Sequence, residues 1–196
     1  MARIFLVRHG RAAAGWDTAM DPPLDDLGRK QAAATAAQLA KRLQDSRWSF
    51  GDVEVVTSPL LRCQQTAAEY ERVTGVGARV ESRIAEIPSP LGVDMADRVT
   101  WLRRAMQGTW AELVARDGDA YAKFRDELLA WARAVRRDTI AFSHFVAINA
   151  VIGAALGDDR LVIRSLDNAS VTVIDVDVDG AITLLEGGAE ANTLIR

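Results

Sequence analysis

Ile4-Phe5-Leu6-Val7-Arg8-His9-Gly10 near the amino terminus and Thr139-Ile140-Ala141-Phe142-Ser143-His144 in the last third hold both histidines of this chain. Each histidine ends a short apolar run of strand character. Open α/β sheets build their ligand crevice where strands end in glycine or small polar residues. The two distant segments are therefore expected to bring His9 and His144 together in such a crevice. The alternative, one histidine in the core and one on the surface, suits histidines at random positions, and the flanking residues speak against it.

Outward from these runs, strand and helix alternate with short connections, the pattern of an α/β layered fold. Residues 3–8 read as a buried strand. Leu24 to Leu43 reads as an Ala-rich helix with acids at its start (Asp25, Asp26) and bases at its end (Lys41, Arg42), as the helix dipole favours. Val53 to Thr57 is a second strand closed by Ser58-Pro59, and a helix follows from about Leu61 to Val73, stopped near Gly75. Residues 78–84 suggest a further strand leading into Ala85-Glu86-Ile87 and the turn-forming Pro88-Ser89-Pro90. From Leu91 to about Gly118 the rhythm is lost. That stretch, with Arg98, Trp101, Arg103, Arg104 and Trp110, reads as helical pieces laid over the sheet edge. Phe124, Leu128, Trp131 and Val135 mark an amphipathic helix, which makes Trp131 a core residue and leaves Trp101 and Trp110 open between packing and ligand stacking. Val146 to Leu156 is a helix ended by Gly157. Ser170 to Val176, a turn at Asp179-Gly180 and a strand near Ile182 to Leu185 form a hairpin near the sheet edge.

A length of 196 residues suits one domain with a substantial core. The net charge of -3 argues against nucleic acid or an anionic membrane as a general partner, so anionic substrates call for a local basic pocket. Cys63, the single cysteine, excludes an intramolecular disulfide and leaves nothing for a structural zinc site. Only four consecutive apolar residues precede Arg8, fewer than a signal-peptide core or a spanning helix needs, and a cytoplasmic location is the expectation.

Leu6-Val7-Arg8-His9-Gly10 resembles the signature of the histidine phosphatase superfamily, the group that includes the cofactor-dependent phosphoglycerate mutases. Pro23-Leu24-Asp25-Asp26-Leu27-Gly28-Arg29-Lys30-Gln31-Ala32 is similar to the family's segment opening its first helix. Ser58-Pro59-Leu60-Leu61-Arg62-Cys63-Gln64-Gln65-Thr66-Ala67 is similar to the segment carrying its second arginine. Ile84-Ala85-Glu86-Ile87, Phe142-Ser143-His144 and Asn168-Ala169-Ser170-Val171-Thr172 fall where the family has its acid, its second histidine and a late strand. The resemblance runs along nearly the whole chain. It implies one domain over residues 1–196 with a variable helical insert at about 87–120, folded as a phosphoglycerate mutase-like three-layer sandwich with a mostly parallel sheet between helices.

It also implies a chemistry that these residue types suit. A phosphoryl group in flight spreads charge over three oxygens and needs preorganised cationic donors. Arg8 and Arg62 offer bidentate forks. An unprotonated His9 attacks phosphorus to give a phosphohistidine, and a protonated His144 serves as a third positive donor. Glu86 protonates the leaving oxygen and later deprotonates the attacking water. No metal and no cofactor enters the scheme, whose partners are a small phosphorylated substrate and inorganic phosphate as product.

Departures from the family pattern keep alternatives open. Pro88-Ser89-Pro90 replaces the Gly-containing segment that often follows the acid, so Glu81 is the fallback for Glu86. Arg11-Ala12-Ala13-Ala14 replaces the usual polar residues after Gly10, leaving Arg11 as either a substitute phosphate ligand or a solvated loop arginine. Phe145 replaces a common glycine, to narrow the pocket or pack beneath it, and Cys63 reads as a small buried hydrophobe. Three functions remain: a phosphomonoester hydrolase of the histidine acid phosphatase type, a phosphoglycerate mutase-type phosphotransferase, and a weakly active phospho-ligand or protein-binding member.

Overall fold

Consecutive side chains of a strand point to opposite faces, and in β1 (Ala2–Arg8) that rule divides the core in two. Ile4 and Leu6 join one apolar cluster, Phe5 and Val7 another. In this computed structural model, residues 1–15, 17–45 and 52–191 are described. Between the clusters lies a six-stranded sheet, in the order β3 (Arg79–Val80), β2 (Glu54–Thr57), β4 (Thr139–Ser143), β1, β5 (Val171–Val176) and β6 (Ile182–Gly187). The β3-β2, β2-β4 and β4-β1 pairs are parallel, while β5 and β6 add the expected antiparallel hairpin at the edge.

Helices α1 (Asp26–Asp45) and α2 (Leu61–Thr74) cover the Phe5 face through Ala36, Leu39, Leu43, Cys63 and Tyr70. Helices α5 (Ala120–Ala134) and α6 (Phe145–Leu156) cover the Ile4 face. This is the three-layer α/β sandwich that the sequence suggested. Phe145 through Gly153 of α6 are all buried, which accounts for a helix apolar on nearly every side. Gly157 ends it with φ 67, a left-handed cap that glycine adopts without strain.

Two expectations need correction. The strand read over residues 78–84 shrinks to Arg79–Val80, because the Glu81 carboxylate accepts the Arg83 backbone N–H and turns the chain into a 3₁₀ segment, Ser82–Ile84. The insert does form helices, α3 (Met95–Met106) and α4 (Trp110–Asp117), but they do not lie over the sheet edge. Leu102, Ala105, Trp110 and Leu113 share the cluster of Leu128, Trp131 and Ile148, so the insert thickens the α5–α6 layer. Trp110 is buried against Phe124, the Trp101 Nε1–H donates to Asp117 at 2.8 Å, and both thus serve packing. Among the described residues no helix is long and apolar enough to cross a membrane.

Register positions the site. Arg8 pairs with Ser143, so β1 and β4 end side by side and hand the chain on to His9 and His144. The His9 N–H donates to the Ser143 carbonyl at 3.0 Å. Just beyond, Gly10 and Gly28 lie back to back where the loop after β1 crosses the start of α1. A Cβ on Gly10 would strike the Gly28 carbonyl, and one on Gly28 would strike the backbone of Arg11.

Candidate active site

Arg8, the last residue of β1, is buried with its guanidinium 4.9 Å from the Phe145 ring centroid. Its Nη1 donates to the Leu166 carbonyl at 2.5 Å, whereas its buried Nε finds no acceptor among the described residues. Phe145 thus packs against Arg8 and also lines the cavity, so neither of the two roles considered for it is excluded.

The His9 ring has its tautomer set by a neighbour. Nδ1 lies 2.7 Å from the Gly10 carbonyl, which can only accept, so Nδ1 carries the proton and Nε2 the lone pair. The Arg62 Nε donates to that Nε2 at 3.2 Å, and the Arg62 Nη2 donates to His144 Nδ1 at 3.1 Å. One guanidinium thus bridges two rings whose centroids are 5.2 Å apart. The free edge of His144, Nε2–H, donates to the Ser58 hydroxyl at 2.7 Å. Burial, and then the charges of Arg62 and Arg8, hold the His9 pKa well below its ordinary value. Burial and Arg62 do the same for His144. In this arrangement the His144 Nδ1 accepts from Arg62 and the ring is neutral, whereas the role expected of it is that of a protonated donor to a phosphate. The ring is also fully buried, one layer behind the cavity wall, reaching the cavity through Arg62.

Cys63 is buried as expected, its Sγ 3.3 Å from both the Ser143 carbonyl and His144 Nε2, and burial pushes its pKa up. It packs the back of the His144 ring.

Glu86 lies just below the amino end of α6, where its carboxylate accepts the N–H groups of Ile87, Ala147 and Val146 at 3.1, 3.3 and 3.4 Å. Burial raises its pKa, against the pull of those N–H groups and of Arg62 and Arg8. Glu86 lines one cavity of about 600 Å³ with Arg8, His9 and Arg62, a size that suits a small molecule. Glu81 does not line it. The Arg83 guanidinium grips the Glu81 carboxylate with two 2.8 Å bonds and lowers its pKa to about 2, so the fallback acid is a structural ion pair. Arg11 reaches the rim of the cavity but is tied to Asp25 at 2.5 Å, with 43% of its side chain exposed.

The family model of the histidine phosphatase superfamily (branch 1) matches residues 4–186. The chain belongs to that superfamily. Phosphoserine phosphatase 1 of Hydrogenobacter thermophilus is 27% identical over 195 residues, covering 90% of this chain and 88% of that one. Among solved structures, a mycobacterial glucosyl-3-phosphoglycerate phosphatase has a TM-score of 0.72 at 23% identity, covering 97% of this chain and all of the other. A phosphoglycerate mutase from Thermus thermophilus has a TM-score of 0.65 at 21% identity, covering 96% and 99%. These two likenesses establish the phosphoglycerate mutase-like fold.

Around the histidine phosphatase core stand residues that the sequence reading did not single out for the site. Ser58 orients His144. Thr66 accepts the Gly10 N–H at 3.1 Å and donates to the Arg62 carbonyl at 2.7 Å, clamping α2 to the loop that bears His9. Asn168 donates to the His9 carbonyl at 3.3 Å. Ser58, Thr66 and Asn168 all fall in the quoted family-like segments, so the signal was present without a role attached. Arg98 lines the cavity from α3, where no motif pointed to it.

Proposed function

We propose that this histidine phosphatase is a phosphomonoester hydrolase of the acid phosphatase type that works through phospho-His9 on a small phosphorylated metabolite. The observation that carries this reading is the His9 ring itself: Nδ1–H tied to the Gly10 carbonyl, Nε2 with its lone pair, between two buried arginines at a cavity floor. Family membership, the phosphoserine phosphatase relative and the glucosyl-3-phosphoglycerate phosphatase neighbour support it.

In the first step His9 Nε2 attacks phosphorus in line, the phosphorus–oxygen ester bond breaks, and Glu86 delivers its proton to the departing alkoxide. Arg8, through its orphaned Nε, and Arg62 bind the equatorial oxygens. As Arg62 turns to the phosphate it uncovers His144 Nδ1, where a proton adds the third positive donor. In the second step water attacks phospho-His9, Glu86 takes the water proton, the phosphorus–nitrogen bond breaks, and inorganic phosphate leaves. The raised pKa of Glu86 and the depressed pKa of His9 are the pair an acid-side hydrolase needs, an acid still protonated beside a base still free.

Rapid quench with labelled substrate tests this. The expected product is a protein-bound phosphate that is acid-labile and base-stable, and absent from His9→Ala. An acid-stable phosphoprotein, or one retained in His9→Ala, would show that another residue attacks.

A further inference from the structure

Among the described residues, Ala169 at φ 57 is the one non-glycine residue with a left-handed backbone, and it sits in the loop that enters β5. A Cβ disfavours that conformation, which persists only where the surroundings impose it. Two hydrogen bonds impose it here. The Ala169 N–H donates to the His9 carbonyl at 3.2 Å, and the Ala169 carbonyl accepts the Thr35 hydroxyl at 2.8 Å. Thr35 comes from the middle of α1, on a buried side where its neighbours Ala32, Ala36 and Leu39 are apolar. A helical threonine commonly turns its hydroxyl back to a carbonyl of its own helix, whereas this one reaches across to another segment of the chain.

The turn decides what meets His9. The Arg8 N–H donates to the Ser170 carbonyl at 3.0 Å, which fixes the far side of the turn to β1. With φ negative at Ala169, the Ala169 N–H and the Asn168 side chain would swing away together from the His9 carbonyl that both now reach. That carbonyl belongs to the peptide whose N–H, that of Gly10, is taken by Thr66, so the plane between His9 and Gly10 is held at both ends. The Gly10 carbonyl, next along, accepts the ring's Nδ1–H.

We propose that Thr35 and Ala169 are positioning residues for the nucleophile: Thr35 locks the left-handed turn, the turn fixes the His9–Gly10 peptide, and the peptide aims Nε2 along the line of attack. The inference rests on the reading of His9 as the nucleophile. The strained turn spares the ring a search for its angle when the ester arrives, and in-line transfer depends on such preorganisation.

Thr35→Val keeps the shape of the side chain and deletes the donor. Rapid quench with p-nitrophenyl phosphate should show phosphorylation of His9 slowed by roughly 3–10-fold, the worth of one neutral hydrogen bond, with KM little changed and with Thr35→Ser restoring the rate. Glycine adopts a left-handed turn without strain, so Ala169→Gly should raise the urea midpoint, and Thr35→Val made in that background should lose less. Phosphorylation at the wild-type rate in Thr35→Val overturns the proposal. So does a loss equally large in both backgrounds, which would make Thr35 a packing residue of α1. Nitrogen NMR of the imidazoles reads the same hold without turnover: the His9 ring signals should shift in Thr35→Val and return in Thr35→Ser. Shifted His9 signals with no phosphoprotein in the wild type would overturn the phosphatase reading and keep the role of the turn. A wild-type phosphoprotein with His9 signals unmoved by Thr35→Val would do the reverse.

Discussion

The chemistry of single residues here is decided by which atoms their neighbours leave free. Glu86 sits beneath the amino end of α6, where three N–H groups favour its anion and the loss of water around it favours its acid, the latter being the larger effect. As general acid it should matter in proportion to the basicity of the leaving group. Glu86→Gln is expected to cut turnover of an alkyl phosphate by roughly 10²–10⁴ and to slow phosphorylation by an aryl phosphate far less. Equal losses in that step would make its role positional. The sign of the pH dependence follows from Glu86 and His9 together. His9, depressed, stays a free base into acid, and Glu86, raised, stays protonated beyond the usual carboxylate range. In kcat/KM measured from about pH 4 to about pH 9, activity is expected to peak on the acid side and to fall as Glu86 ionises. That alkaline limb should vanish in Glu86→Gln and be weak for aryl esters, whose leaving group needs little protonation.

Elements place these residues by close fit. The loop after β1 and the start of α1 approach until only glycine suits both sides, Gly10 on one and Gly28 on the other. Gly28→Ala forces them apart and is expected to destabilise the fold by about 1–3 kcal/mol, as overpacking does, with a drop in phosphorylation rate because the displaced loop bears His9. Urea unfolding and rapid quench read the two effects; an unaltered stability would mean that the helix start yields. At this scale the sequence spoke unevenly. β1 and β4 were legible because each is an apolar run ending in a histidine, and α6 because its apolar stretch meets Gly157. β3 was not, since two edge residues leave no periodicity and a side-chain carboxylate ends the strand. The insert was legible as helix but not in its position, which rests on Trp110 and Leu113 meeting α5. In the site, His9 could be read from its place at a strand end, and Arg8, Arg62 and Glu86 from the resemblance of their segments to the family's. The neutral state of His144 could not, because its two ring partners, Ser58 and Arg62, arrive from a segment some eighty residues earlier in the chain.

For the whole molecule, the division of labour follows the layers. The sheet ends and α2 supply the phosphoryl floor, while the insert, packed on α5, contributes to the cavity wall through Arg98. A mutase must hold its substrate while it reorients and keep water from phospho-His9. The α3–α4 insert is instead committed to packing the helical layer. Supplied with each phosphoglycerate, with and without bisphosphoglycerate, the enzyme is expected to release inorganic phosphate with little exchange between the 2- and 3-isomers. Exchange outrunning release by orders of magnitude would replace the hydrolase with a mutase.

The Arg62 bridge bears on how the catalytic cycle ends. Before any substrate arrives, this guanidinium already bonds both histidine rings through Nε and Nη2 and faces the Asp21 carboxylate across 3.7 Å through Nη1, so phosphate competes with these partners for it. That exchange weakens the hold on inorganic phosphate by roughly 1–3 kcal/mol, and it does so after the bond is broken as well as before. The rings then act as competitors that reclaim the arginine and eject the product. Product inhibition should therefore be slight, with an inhibition constant for inorganic phosphate of about millimolar; micromolar inhibition would show that the rings do not compete for Arg62. An enzyme so arranged keeps turning over where its product is abundant.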